Sequence, residues 1–199
     1  MTKKLSHQVV VLLSCVLIGS VLAGAGGRSA PAPEDQAKTN PDAQTLADFK
    51  RRIDAYMELH NKLEKKVPPM KETKDVAKIQ ESQDALANAL REARKEAKSG
   101  DIFTPEIRQQ FRRLMYPETK GTAGAEVKEA LKEDAPKGVP IKVNAKYPEN
   151  APLPTMPPNL LAALPKLPED LEYRVINRDL ILRDVHANLI VDFIPNAIQ

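Results

Sequence analysis

Of the three histidines in the chain, only His60 and His186 lie beyond residue 25. His186 sits in the polar run Asp184-Val185-His186-Ala187-Asn188, with Asp192 shortly after it. One imidazole and two carboxylates are donors that a divalent transition metal accepts. His186, Asp184 and Asp192 are therefore the candidate metal ligands. Their spacing matches neither a helical His-x-x-x-His pair nor an acidic calcium loop. The spacing predicts no resident metal and no other cofactor. His60 falls on an apolar helical seam, where an imidazole is usually buried against a hydrogen-bond partner. A place on the edge of that seam, facing solvent, is the other option. Opposite a buried acid, His60 would make the packing pH-sensitive near neutrality.

Other chemistries are poorly supplied. Cys15 is the only cysteine. Beyond it the chain has no disulfide, thiol nucleophile or cysteine metal site. Ser29, Ser82 and Ser99 are the serines beyond residue 25. None sits in a strand-turn-helix elbow, and two histidines leave little room for a Ser-His-acid set. Glu169 and Asp170 open a strand and read as solvated turn residues, not as an acid/base pair. The eight glycines form no phosphate-binding fingerprint. The inventory predicts no catalytic residue and no enzyme.

The amino terminus reads as an export signal. Lys3 and Lys4 precede a mostly apolar run from Val9 to Ala23, and Ala23-Gly24-Ala25 offers small residues for cleavage after Ala25. The run is short for a bilayer span, which disfavours an uncleaved anchor. Leu12-Leu13-Ser14-Cys15 resembles a lipid-attachment site, but the apolar run continues past the cysteine. Residues 1–25 are thus expected to be a signal peptide and 26–40 a disordered tether. The protein is expected to be periplasmic or secreted, with no membrane span once the signal is removed. Beyond residue 25 there are 28 basic and 27 acidic residues. That balance gives no electrostatic case for nucleic acid.

The elements that position these residues are legible from periodicity. Asn40 and Pro41 form a helix start. Leu46, Phe49, Ile53, Tyr56, His60, Leu63 and Val67 follow at spacings of three and four, one helical face as in a coiled coil. Pro68 and Pro69 stop this arm. Val76, Ile79, Gln83, Leu86, Leu90, Ala93 and Ala97 give a second arm, expected to end at Ser99-Gly100. The short link between the arms predicts an antiparallel helical hairpin. Thr104-Pro105-Glu106 starts a short third helix through Tyr116, and Ile102, Phe103 and Phe111 should close the open end of the hairpin. The helical domain is thus 41–116.

Residues 117–168 form a Pro-rich connector, with nine prolines between Pro136 and Pro168. That density forbids a central strand or a long helix and suggests an extended wrap along the hairpin. A short helix over 125–133, with Val127, Ala130 and Leu131 inward, and one helical turn over Asn159–Leu164 are expected within it. From 169 to 199 the period changes to two. Three short alternating runs separated by Asn177-Arg178-Asp179 and His186-Ala187-Asn188 predict a small three-stranded antiparallel β-meander. Leu180, Leu182, Leu189, Val191 and Phe193 should face inward. The fold class is α+β.

The stretch from Leu167-Pro168-Glu169-Asp170-Leu171 to Leu182, with Asn188-Leu189-Ile190-Val191-Asp192, resembles the repeating end of small periplasmic RcnB-like proteins. Some of these are linked to nickel and cobalt homeostasis. The resemblance covers about the last 35 residues and implies an exported, metal- or stress-responsive protein. The chain is also similar to uncharacterised exported bacterial proteins with a Gly-Asp-Ile-Phe-Thr-Pro stretch, here Gly100 to Pro105. The residues themselves predict a non-enzymatic binding or structural module with the hairpin as scaffold. Its partner would be an envelope protein or a second copy.

Overall fold

The structure, a computed structural model, describes residues 40–68, 75–133, 135–136 and 138–198. The expected signal, and all of the tether but Asn40, lie outside the described residues. So do positions 69–74 of the link between the arms.

Helix α1 (Pro41–Glu64) starts where Asn40 Oδ1 accepts from the Asp42 N–H at 2.9 Å, with Pro41 in the first turn. It buries Phe49, Ile53, Tyr56, Met57 and His60. Its outer face carries i,i+4 pairs such as Lys50–Asp54, worth a few tenths of a kcal/mol, about 0.2–0.5 each. Helix α2 (Val76–Ala93) is capped by Asp75 and buries Leu86, Ala87 and Leu90, while Val76 at its start stays 64% exposed. It stops at Ala93, short of the expected Ser99. The Arg94 carbonyl accepts from Asn144 Nδ2 at 2.8 Å, and the Arg94 guanidinium reaches Asn144 Oδ1 and the Val191 carbonyl, both at 2.9 Å. Tertiary partners thus take over where the helix periodicity would continue. Gly100, at φ 104°, shapes the following turn and does not end the helix.

Helix α3 (Pro105–Thr119) is capped by the Thr104 hydroxyl and runs three residues past the expected Tyr116, with Pro117 inside its last turn. Ile102, Phe103 and Phe111, expected to close the hairpin, are all buried in one core with Phe49. Phe49 stacks on Phe103 at 5.8 Å, and Phe111 meets their edges at 4.9 and 5.3 Å. Helix α4 (Gly121–Glu133) begins four residues earlier than expected. It buries Leu131 and Gly124 and packs Val127 partly, but leaves Ala130 exposed. Helix α5 (Pro158–Ala163) is the expected single turn.

Strands β1 (Leu171–Ile176), β2 (Asp179–Asp184) and β3 (Leu189–Ile194) form the antiparallel meander β1-β2-β3. The seam residues of α1 and α2 do not zip only against each other. They share one core with α3 and with Tyr173, Val175, Leu180, Leu182, Leu189 and Val191 of the sheet. There is no self-contained coiled-coil pair here. Phe49 and Leu86, each 2% exposed, are interior and offer no face to a partner.

Strict alternation fails in β3. Leu182 pairs with Asp192 while Arg183 pairs with Ile190, so Val191 is the extra residue of a bulge. Beyond the bulge the side chains change faces. Phe193, expected inward with Leu189 and Val191, packs instead with Ile181, Ile190, Ile176 and Tyr147 on the opposite face. Asp192 and Ile194 turn toward the helices. The Pro-rich segment covers that opposite face with Val139, Ile141 and Ala151. It also pairs with the free edge of β3: Asn144 N–H donates to the Ile190 carbonyl at 2.8 Å, and Tyr147 N–H to the Asn188 carbonyl at 2.9 Å. The connector thus clads the sheet, whose uncovered face and edge its apolar side chains and backbone donors match. It also runs against α2, where Lys146 reaches Asp84 at 2.7 Å and Arg91 donates to the Asn144 carbonyl at 3.0 Å.

Gly124 marks the tightest backbone approach. A Cβ there would lie 2.2 Å from the Thr119 carbonyl carbon and 2.4 Å from its oxygen. Gly124→Ala should therefore cost about 1–3 kcal/mol of stability through overpacking. Urea unfolding checks this, and an unchanged midpoint would show that α4 does not press on the end of α3.

Candidate functional site

The polar centre of the molecule lies where the last turns of α1 meet the sheet. His60 and Glu64 are one helical turn apart, so they share a face. Asp184 ends β2, and its Oδ1 accepts from the Ala187 N–H at 2.8 Å, tightening the β2–β3 turn that carries His186. Asp170 stands just before β1 and is held to the same turn by its carbonyl, which accepts from the Val185 N–H at 2.9 Å. Asn188 closes the turn at φ 51°, a conformation asparagine tolerates. The elements thus bring one helix end, one strand entry and one hairpin turn together.

His60 and Asp184 are both fully buried and bonded, His60 Nδ1 to Asp184 Oδ2 at 2.7 Å. The Tyr56 hydroxyl donates to the same oxygen at 2.6 Å. His60 Nε2 is buried with no hydrogen-bond partner, and Glu64 Oε2 stands 3.9 Å away. His186 is half-buried. Its Nδ1 lies 3.0 Å from Glu64 Oε1 and its Nε2 3.4 Å from Asp170 Oδ1. The two imidazole rings are 5.9 Å apart.

Electrostatics sharpen the picture. Burial works against a charged His60, but the hydrogen bond and charge of Asp184, helped by Glu64 and Asp170, hold its pKa above the ordinary imidazole value. Burial pushes Asp184 upward. The His60 hydrogen bond and charge, the Ala187 N–H and the Tyr56 hydroxyl outweigh it and keep the carboxyl below its ordinary range. Burial, then the charge and hydrogen bond of Asp184, push the Tyr56 hydroxyl well up, so it stays a donor.

The expected ligands are distributed differently from the sequence reading. Among the described residues, the donor atoms that converge within 4.8 Å belong to His60, Asp170 and His186. Asp184 stands behind His60 as its orienting carboxylate. Asp192 is spent elsewhere: its carboxylate accepts from the backbone N–H of Gly100, Ile102 and Phe103 at 2.9–3.1 Å, and from Phe193 at 2.8 Å. His60 takes the buried, hydrogen-bonded place and not the solvent edge. Asp170 is a member of the centre, where the sequence suggested a solvated turn residue. Glu64 carried one legible sign, its i,i+4 spacing from His60 on the same arm. Asp170 carried none, since only the strand pairing brings it to His186.

No family model, no curated protein and no solved structure matches the chain.

Asp184→Ala would leave the Tyr56 hydroxyl, His60 Nδ1 and the Ala187 N–H without their acceptor. Removing one member of a buried charged pair costs about 3–5 kcal/mol. Chemical denaturation should register a loss of that size, and a loss below about 1 kcal/mol would remove the pair from the structural core of the site.

Proposed function

We propose that the protein is a non-enzymatic binding module that acts after export and holds a cation at the α1–sheet junction. One observation carries this reading. His60, His186 and Asp170 bring one donor atom each within 4.8 Å of one another, and Glu64 stands 3.9 Å from the buried, unpartnered Nε2 of His60. Among the described residues, no lysine or arginine pairs with Glu64, Asp170 or Asp184. Three carboxylates thus face two imidazoles, so negative charge stays in excess at the junction and favours a bound cation. Export is supported by Lys3, Lys4, the apolar run from Val9 and the small residues at 23–25. The helical hairpin serves as scaffold: it supplies His60 and Glu64 from one rigid helix.

A ligand that binds only the folded state raises its stability, by about 2.7 kcal/mol at a hundredfold excess over Kd. A thermal-unfolding panel with magnesium, calcium, zinc, nickel and cobalt salts should show a raised Tm with at least one of them. The gain should vanish in the double variant Asp170→Asn, His186→Gln. If no cation moves Tm, the cation-binding reading is wrong.

A further inference from the structure

We infer that His60 Nε2, His186 Nε2 and Asp170 Oδ1 form a three-ligand site for one divalent transition metal of the zinc class. This rests on the cation-binding reading above and names the ion and its donor atoms.

The donor spacing fits such an ion. His186 Nε2 and Asp170 Oδ1 are 3.4 Å apart. Bonds of about 2.0–2.2 Å at tetrahedral angles place neighbouring donors about 3.3–3.6 Å apart. One donor atom from each of His60, Asp170 and His186 lies within 4.8 Å of the other two. His60 is the buried anchor, while His186 and Asp170 are partly exposed at the rim, with 36% and 27% of their side chains accessible. The ion therefore enters from the rim, and the two rim ligands close on it.

The second nitrogen of each ring is already assigned. Asp184 Oδ2 sits on His60 Nδ1 at 2.7 Å, and Glu64 Oε1 sits on His186 Nδ1 at 3.0 Å. A carboxylate on one ring nitrogen fixes the N–H there and leaves the lone pair of the other for a metal. Both imidazoles are held in this way; of the remaining nitrogens, His186 Nε2 faces Asp170 Oδ1 and His60 Nε2 stands without a partner. The unpartnered Nε2 of His60 is the independent sign that something is meant to sit there. A buried ring nitrogen with no partner is costly in a folded protein whichever form it takes, and a metal ion that displaces any proton on it satisfies it.

Ligand type selects the ion. Imidazole suits zinc, nickel, copper and iron, while magnesium and calcium take oxygen sets. Three protein donors leave the fourth tetrahedral position to water. The donors come from α1, from the residue ahead of β1 and from the β2–β3 turn, so the ion would also clip the helix to the sheet.

The test uses the purified full chain with Cys15 replaced by Ser, so that its thiol does not compete, stripped of metal with a chelator. Calorimetric titration with zinc chloride alone should give one ion per chain. His186→Ala and Asp170→Ala should each weaken binding at least 100-fold, and Glu64→Gln about 10-fold, as outer carboxylates do. Cobalt substitution should give the intense visible bands of a four-coordinate ion, lost in His186→Ala. Circular dichroism confirms folding of each variant. His60→Ala is not relied on, because it strands buried Asp184. Zinc binding unchanged in both ligand variants overturns the site. Calcium or magnesium binding without zinc binding overturns the ion assigned here and leaves the cation reading standing. Binding of none of these ions removes both.

Discussion

A carboxylate shut off from water must have its charge met by donors, and Asp184 and Asp192 impose that requirement on this fold. Both are fully buried in the sheet. Desolvating such a group costs several kcal/mol unless hydrogen bonds replace the lost water. Asp184 finds Tyr56 and His60 on α1 and the Ala187 N–H in its own turn. Asp192 finds the backbone N–H groups of the 100–103 turn. Apolar contact between helix and sheet is tolerant of sliding. These two sets of hydrogen bonds are not, and they fix where α1 and the start of α3 dock.

The bulge at Val191 makes the second of these possible. Without the extra residue, Asp192 would point away from the helices and Phe193 toward them. With it, the carboxylate reaches the turn, and Phe193 moves to the face covered by the Pro-rich segment. The Val191 carbonyl is met by Arg94, which also lies over the Tyr56 ring at 5.1 Å. One irregular residue thus links α2, β3 and the hydrogen-bond system around Tyr56.

The sheet is small, yet both of its faces and one of its edges are covered. The helices take one face. The segment 139–151 takes the other and pairs with β3 through main-chain hydrogen bonds. A sheet this small depends on packing of its apolar faces, and this cladding keeps water from the buried polar centre. Arg174 and Arg183 on Glu172, with Arg183 over Tyr147, satisfy the charges on the connector side.

Local rules were enough for much of this. Helical spacing in Phe49, Ile53, Tyr56 and His60, the Asn40 and Thr104 caps, and the alternation of the three terminal runs each concern residues close in sequence. Their energetics are those of one helix face or one strand, so the α+β class and most element positions were legible. The spacing put His60 on the seam but left open whether it was buried or at the edge. What only the tertiary structure decided depends on residues far apart in the chain. The end of α2 is set by Asn144, and the path of the connector by the free edge of β3. The faces of Asp192 and Phe193 are set by a bulge that composition does not announce. The membership of Asp170 and Glu64 in one centre with His186 depends on strand register and helix docking. These choices are made by desolvated charges and unpaired backbone groups seeking partners across the fold, and no periodicity in the sequence encodes which partner is within reach.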